Sequence, residues 1–537
     1  MDYSLFRKTP LEQRTVLWLS IGFGLLSFAA TYWASLFGFR WDEHGIAYGA
    51  QLIAQGEIPY KDFGFSFPIL TLYLQSLGHF LFPTKYFFSY GFSASLINGL
   101  WVGGLSFFLL RIPSLSFLPS LALLILAHFT FFGAAGCIWY NQLSSLWFSI
   151  AFLIFSYRLF FKNGVFSFLH ILLIALLSGL TLLSKQDLGG ISILLFPLLF
   201  LIFSPTKKLY GSALTFFIPL ILFTVSILIF IPLGGEPWAW LHHGQPGYDG
   251  RTGGLFTRWV WLNMIRVLGQ NAKFTPVLVI AAFEGLELLY TWKKRFSLKK
   301  LFQSFAPEIF IFGVLLISIF TRITSGNGGG LILPHLTVLI LILALMHGKS
   351  FGGKLKRVFT ITIALTLLLA LFLTARRWEK DMFNRFESFP AVKVKHLQGY
   401  RVAPRMKKFL EEYSVEINAL ARKKGRKLRG YINGMYPLMH PKLDSTPYQG
   451  PLWPHGGTMA TWDEMGKLVE RLEADPPDIF VYFHDLGRYY WGDFKPNIDK
   501  LLREQYTFLV SGNIDIIGSG GAVPSRPTLV YIRKNIN

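Results

Sequence analysis

Apolar runs about as long as a bilayer is thick recur along this chain, separated by short polar loops. A helix needs about 20 residues to cross the hydrocarbon. Runs of roughly that length fall at 16–38, 86–110, 113–133, 142–160, 165–183, 188–203, 212–233, 273–291, 307–323, 331–347 and 357–375. The pattern therefore predicts a polytopic α-helical membrane protein with about eleven transmembrane helices. The first run carries no small-residue cleavage pattern and is expected to be an uncleaved anchor. A weaker stretch at 65–82, interrupted by Pro68 and closed by Pro83, is either a twelfth span or a helix lying at the interface.

Basic residues discriminate between the two. With 65–82 at the interface, one face of the membrane receives seventeen of them (Arg7, Lys8, Arg14, Arg111, Arg158, Lys162, Lys207, Lys208, Lys293, Lys294, Arg295, Lys299, Lys300, Lys349, Lys354, Lys356 and Arg357). The other receives seven: Arg40, Lys61, Lys85, Lys185, Arg251, Arg258 and Arg322. A twelfth span would destroy this asymmetry, so 65–82 is read as interfacial and the N-terminus as cytoplasmic. The chain is expected in the plasma (inner) membrane, with its C-terminal part outside the cytoplasm.

Past residue 375 the pattern changes. Helical periodicity covers 406–421 and 462–472, and the short runs "LRGYIN", "DIFVYF", "YTFLV" and "TLVYIR" read as strands. Two parts follow: a membrane module at 1–375, whose first extracytoplasmic loop is 39–85, and a soluble extracytoplasmic α/β domain at 376–537.

Composition agrees with the pattern, since 52% hydrophobic and 15% charged residues is too apolar for a soluble chain of 537 residues. The net charge of +22, from 52 Lys and Arg against 30 Asp and Glu, raises nucleic acid as a partner. The charges sit in loops and in the C-terminal third without a folded basic patch, which excludes that class. Cys137 is the single cysteine, so no intramolecular disulfide staples the soluble part.

The chemistry gathers where the first span ends, in "FRWDEHGIAYGAQLIAQGEIPYKDFGFSFP". A carboxylate costs about 2.5 to 3.5 kcal/mol at the bilayer centre and far less just past a helix end, so Asp42 and Glu43 belong at the water boundary. They are either a solvated helix end or a functional pair. After them come an amphipathic helix "GIAYGAQLIAQ", a turn at Gly56, "EIPYKDF" and an apolar segment opened by proline.

This stretch resembles the first extracytoplasmic loop of the glycosyltransferase-C (GT-C) superfamily, in the branch related to protein O-mannosyltransferases and aminoarabinose (lipid A) transferases. There an Asp-Glu pair is followed by a run like "Y.A..L..G..PY.DF......P". The motif covers about thirty residues, and the layout of spans plus soluble tail agrees along the whole chain. The resemblance implies a sugar donor on polyprenyl phosphate, with Asp42 as the base that deprotonates an acceptor hydroxyl and Glu43 as a weaker candidate. One carboxylate suffices on the attacking side, and phosphate leaves as a stable anion wherever cations hold it. Asp62 either orients substrate or caps a turn. The cations available on that face are Lys61, Lys185, Arg251, Arg258 and Arg322. Lys185 has a simpler alternative partner in Asp187, and each of the others has the alternative of snorkelling to the headgroups.

No metal or other cofactor is expected, because Asp42, Glu43, His44, His242, His243 and Asp249 match no ligand spacing. The expected partners are membrane lipid, the polyprenyl-phosphate sugar donor and an acceptor that is a glycan, lipid or protein. The soluble tail also looks like the tail of many bacterial members of the branch, which suggests acceptor binding or scaffold support. Two competing readings are a transporter or flippase of lipid-linked saccharides, and an inactive envelope scaffold. A transporter calls for ionisable residues within the spans, whereas these spans are nearly free of acids.

Overall fold

The computed structural model describes residues 12–37, 39–40, 44–65, 68–83, 86–112, 117–131, 138, 140–238, 389–432, 438–444, 462–483, 491–517 and 525–536, together with a few positions between 309 and 372. Among these, α1 (Gln13–Ser35), α4 (Tyr86–Leu109), α5 (Phe117–Phe131), α6 (Tyr140–Phe161), α7 (Phe168–Ser184), α8 (Gln186–Phe203) and α9 (Lys208–Leu228) match the first seven apolar runs to within a few residues. Five contain a stretch long and apolar enough to cross a membrane: α1, α4, α6, α8 and α9. The run at 273–291 lies outside the described residues, and the last three are described only at scattered positions.

Between α1 and α4 stand two short helices, α2 (His44–Ala54) and α3 (Leu70–Leu81). With 12 residues, α3 is about 18 Å long, well short of a hydrocarbon core of about 30 Å. Small residues bring α1 and α4 together. A β-carbon on Gly99 would stand 2.9 Å from the Gly24 carbonyl, one on Gly103 3.1 Å from that of Ser20, and one on Gly91 would strike the Ser35 side chain. Gly91 thus lies beside the end of α1 and Gly103 beside its middle, so the two helices are antiparallel. The chain therefore leaves α1 and enters α4 at the same end, with α2 and α3 between them and α3 packed on α4, where a β-carbon on Gly78 would strike the Ser89 carbonyl.

Later connections keep that alternation. Gln75 on α3 accepts the Ile138 N–H at 2.9 Å, which brings the start of α6 to the same end. Gly164, after α6, packs on the Phe203 carbonyl at the close of α8, so α7 and α8 form a hairpin whose turn, Lys185, returns to the α3 end. After α9 the Glu236 N–H donates to the Tyr60 carbonyl at 3.0 Å, again at that end. Arg111, Arg158, Lys162, Lys207 and Lys208 therefore collect at the far end, and Lys61 and Lys185 at the near one.

Five C-terminal strands and one from the N-terminal half build a six-stranded mixed sheet in the order β1-β5-β6-β4-β2-β3. Its strands are β2 (Leu428–Ile432), β3 (Leu443–Asp444), β4 (Ile479–Phe483), β5 (Tyr506–Ile517), β6 (Ser525–Arg533) and β1 (Phe39–Arg40). Three helices accompany it: α10 (Pro404–Lys424), α11 (Trp462–Ala474) and α12 (Lys495–Gln505). Both predicted helices and all four predicted strands are present, with β5 and β6 longer than the apolar runs that marked them. Proline at the first turn of α10 and Gly425 in the left-handed region beyond its last residue (φ 64°) set its limits. The α/β layer arises because β4 is buried at every position while α10 buries one stripe against the sheet, meeting β5 and β2: Met406, Phe409, Leu410, Tyr413, Ile417 and Ala421.

One hydrophobic cluster unites this sheet with the first loop. Ile46, Tyr48, Leu52, Tyr60, Phe63, Phe65 and Leu72 share it with Tyr431, Phe480 and Trp491, and with Phe230 beyond α9. A second cluster fills the bundle, where Phe148, Phe152, Phe155, Phe196 and Phe200 meet Phe310.

Candidate functional site

Beyond α2 the chain turns at Gly56, whose φ of 96° suits glycine, and enters "EIPYKDF". Asp62 Oδ2 accepts the Ile58 N–H at 2.7 Å and the Tyr60 N–H donates to the Phe63 carbonyl at 2.8 Å, closing a tight turn. Tyr60 takes the left-handed conformation (φ 66°), an uncommon state for a bulky residue that its packing holds: it is buried and lies edge-on to Phe230 at 5.3 Å. The turn-capping alternative for Asp62 is thus realised.

Glu57 belongs to the same cluster and has no counterpart among the sequence candidates. Its carboxyl hydrogen-bonds to that of Asp62 and is pushed up to about 7, first by burial, then by the Asp62 charge and that hydrogen bond, and next by Asp444 on β3; Lys61 opposes the rise. Two carboxyls in one hydrogen bond share a proton more readily than they bear two charges. The signal was in the sequence, since Glu57 and Asp62 flank one proline-containing turn.

Lys61 projects outward and is exposed, while its stem runs beside Gly234, 3.7 Å from where a β-carbon would stand. Gly235 allows equal closeness: a β-carbon there would be 3.0 Å from the Phe230 carbonyl. The exit of α9 therefore seats directly on the turn that carries Lys61.

Lys185 is buried between α7 and α8, its Nζ 2.6 Å from Asp187 Oδ2. The ion pair that sequence offered as the simpler alternative is formed. A buried lysine needs such a partner, because an unpaired charge there is strongly destabilising. Of the site candidates, the structure therefore brings Lys61, Asp62 and Lys185 to one end of the bundle, with Lys61 facing outward and Lys185 committed to Asp187. Asp42, Glu43, Arg251, Arg258 and Arg322 lie outside the described residues.

The backbone leading to the acid pair is described. The Arg401 N–H donates to the Leu36 carbonyl at 3.0 Å, and Phe37 forms a parallel bridge with Arg401. Phe39 and Arg40 then pair in parallel with Ile516 and Ile517 of β5. Arg40 stands two residues before Asp42, a reach of at most about 7 Å.

No protein-family model matches the chain, and no curated protein matches it. Among solved structures, the crystal structure of ArnT from Cupriavidus metallidurans bound to undecaprenyl phosphate is similar over 95% of this chain and 97% of that one, at 12% identity and a TM-score of 0.39. At that identity and score the superposition carries neither a fold nor a chemistry across to this chain.

Proposed function

We propose that this protein is a GT-C type integral-membrane glycosyltransferase that moves a sugar from a polyprenyl-phosphate donor to an acceptor hydroxyl outside the cytoplasm. What carries the reading is the stretch from Asp42 to Pro68, in which an acid pair and a "PYKDF" turn stand at the separation seen in that superfamily. The gathering of Lys61, Asp62, Lys185 and the β1 segment at one end of the bundle supports it, because donor phosphate, base and acceptor must meet at one membrane face.

In the proposed reaction the Asp42 carboxylate takes the proton of the acceptor hydroxyl while that oxygen attacks the anomeric carbon. The bond from that carbon to the phosphate oxygen breaks, its electron pair leaves with the phosphate, and the configuration inverts. Lys61 is the outward cation suited to meet the developing phosphate charge. Lys185 can contribute only by sharing its ammonium between Asp187 and phosphate, and Glu43, Arg251, Arg258 and Arg322 complete the candidate set.

The test is to incubate the purified chain with a panel of polyprenyl-phosphate sugars and several acceptors, with and without a chelator, and to measure released polyprenyl phosphate. Turnover of at least one donor is expected, indifferent to the chelator and lost in Asp42→Asn. Undiminished turnover in that variant overturns the assignment of the base. Absence of turnover across the panel, with transbilayer movement of a lipid-linked saccharide in vesicles, favours the transporter.

A further inference from the structure

The sheet of the C-terminal part is completed by two residues from the other end of the sequence. β1 extends it beyond β5, with Phe39 opposite Ile516 and Arg40 opposite Ile517. Immediately before β1, Arg401 grips the same strand: its N–H bonds the Leu36 carbonyl, its backbone bridges Phe37 and, on the other side, Ala391. The side chain extends this grip. The guanidinium lies over the Phe37 ring, 5.9 Å from its centroid, and Nη1 donates to the Phe389 carbonyl at 3.3 Å. Phe37 is itself buried to 1% exposure and packs edge-on to Trp33 at 5.1 Å, so its ring anchors the last turn of α1.

We infer that the C-terminal sheet is a brace that sets the path of the chain from α1 into the acid pair, with Arg401 as a positioning residue for the chemistry of Asp42. The inference rests on the glycosyltransferase reading for its chemical consequence and on strand pairing for its geometry. A strand without neighbours has unpaired backbone groups on both edges and no fixed direction. Pairing with Arg401 and then β5 fixes Leu36, Phe37, Phe39 and Arg40, the last of them two residues before Asp42. A base must lie within hydrogen-bond reach of its proton, and small displacements of a reacting group are costly. The brace thus gives the soluble part a role in turnover without any contact with substrate.

The experiment uses the full-length chain with Cys137→Ser, in lipid nanodiscs. Phe39→Cys with Ile516→Cys is expected to form a disulfide on mild oxidation, since adjacent strands bring such pairs within the bond's reach. Adding Arg401→Ala is expected to lower the cross-linking yield. In the chain without the engineered cysteines, Arg401→Ala is expected to lower kcat about tenfold to a hundredfold, with the donor KM within about twofold, and Arg401→Lys to restore most of it. Failure of the cysteines to pair overturns the brace. Intact kcat in Arg401→Ala, or an equal loss in Arg401→Lys with unfolding, overturns the positioning role. If no donor is turned over by the parent chain, the glycosyltransferase reading and with it the catalytic consequence fall, while the cross-link still decides the brace.

Discussion

At the scale of single residues, the turn at 57–63 shows how one carboxylate holds a conformation its neighbours disfavour. Tyr60 sits in the left-handed region, which L side chains rarely adopt, and Asp62 offsets that cost by accepting the Ile58 N–H at 2.7 Å. Asp62→Ala leaves that N–H without its acceptor in a half-buried turn and is expected to cost about 1–3 kcal/mol. Asp62→Asn, which keeps an acceptor oxygen, is expected to cost less than half as much. Thermal unfolding of the two variants beside the parent checks both values; equal losses would mean that the charge of Asp62, and not its cap, holds the turn. The type of residue at these positions was legible in "EIPYKDF", but its task was not. Whether an aspartate caps a turn or faces a substrate depends on where the Ile58 N–H points, which is a tertiary outcome of packing Tyr60 against Phe230.

At the scale of elements, α1 and α4 meet along small residues because lipid offers no hydrophobic drive for helix association, leaving close packing and hydrogen bonds to hold spans together. Gly24, Gly99 and Gly103 form the seam, and Asn98 Nδ2 donates to Thr31 Oγ1 at 2.7 Å beside it. Ser27 and His128 complete a polar cluster across α1, α4 and α5, with Ser27 Oγ 2.8 Å from His128 Nδ1. Gly99→Leu must push α1 away from its present path, and overpacking of this kind costs about 1–3 kcal/mol. The expected result is a lower unfolding temperature in detergent for Gly99→Leu and near-parental behaviour for Gly104→Leu, since a β-carbon on Gly104 meets nothing within 4 Å. Equal behaviour of the two would mean that the seam is not tightly packed. The seven described helices that fall on the first seven apolar runs were legible because apolar run length is a local quantity. β1 was not: two residues carry no period of their own, and their strand exists only because β5, some 475 residues later in the chain, offers its edge. β3, also two residues, escaped for the same reason. Lys185 was legible as a membrane-edge cation, and so was its partner, because Asp187 lies two residues away.

At the scale of the whole molecule, the groups whose proton affinity folding changes pull stability in opposite directions with pH. His396 and His440 are buried ring against ring, 4.8 Å apart, under α10. His440 Nδ1 accepts the Lys442 N–H at 3.1 Å, so the neutral ring carries its proton on Nε2, beside Ser414 Oγ at 3.1 Å; a second proton would break the first bond. Burial, with His440 as the next cause, pushes His396 down to about 3, and burial followed by Lys442 pushes His440 down to about 4. Folding therefore favours the neutral rings. Their contribution is complete above the ordinary histidine value of 6.5 and is lost as pH falls from 6.5 towards 4 and 3, at up to about 1.4 kcal/mol per pH unit for each ring. Glu57 acts in the other sense. Its folded value of about 7 lies above the ordinary 4.5, so folding favours the protonated carboxyl, and that contribution is lost as pH rises from 4.5 through 7. Two buried rings outweigh one half-exposed carboxyl, whose share solvent screens. Unfolding temperature of the full chain is thus expected to rise from pH 4.5 to about 6.5 and then to decline slightly up to about 7.5. In Glu57→Gln, which keeps a hydrogen-bond donor towards Asp62 at every pH, the decline above 6.5 should vanish and the acid limb remain. In His396→Phe the acid limb should become shallower and the decline remain. The two halves of the profile report on different joints, Glu57 on the meeting of the first loop with β3 and the histidines on the packing of the sheet's own layer. A parent profile that is flat between pH 5 and 6.5 would mean that these rings already carry their protons in the folded chain, and that the layer of α10 on the sheet is held by something other than their burial.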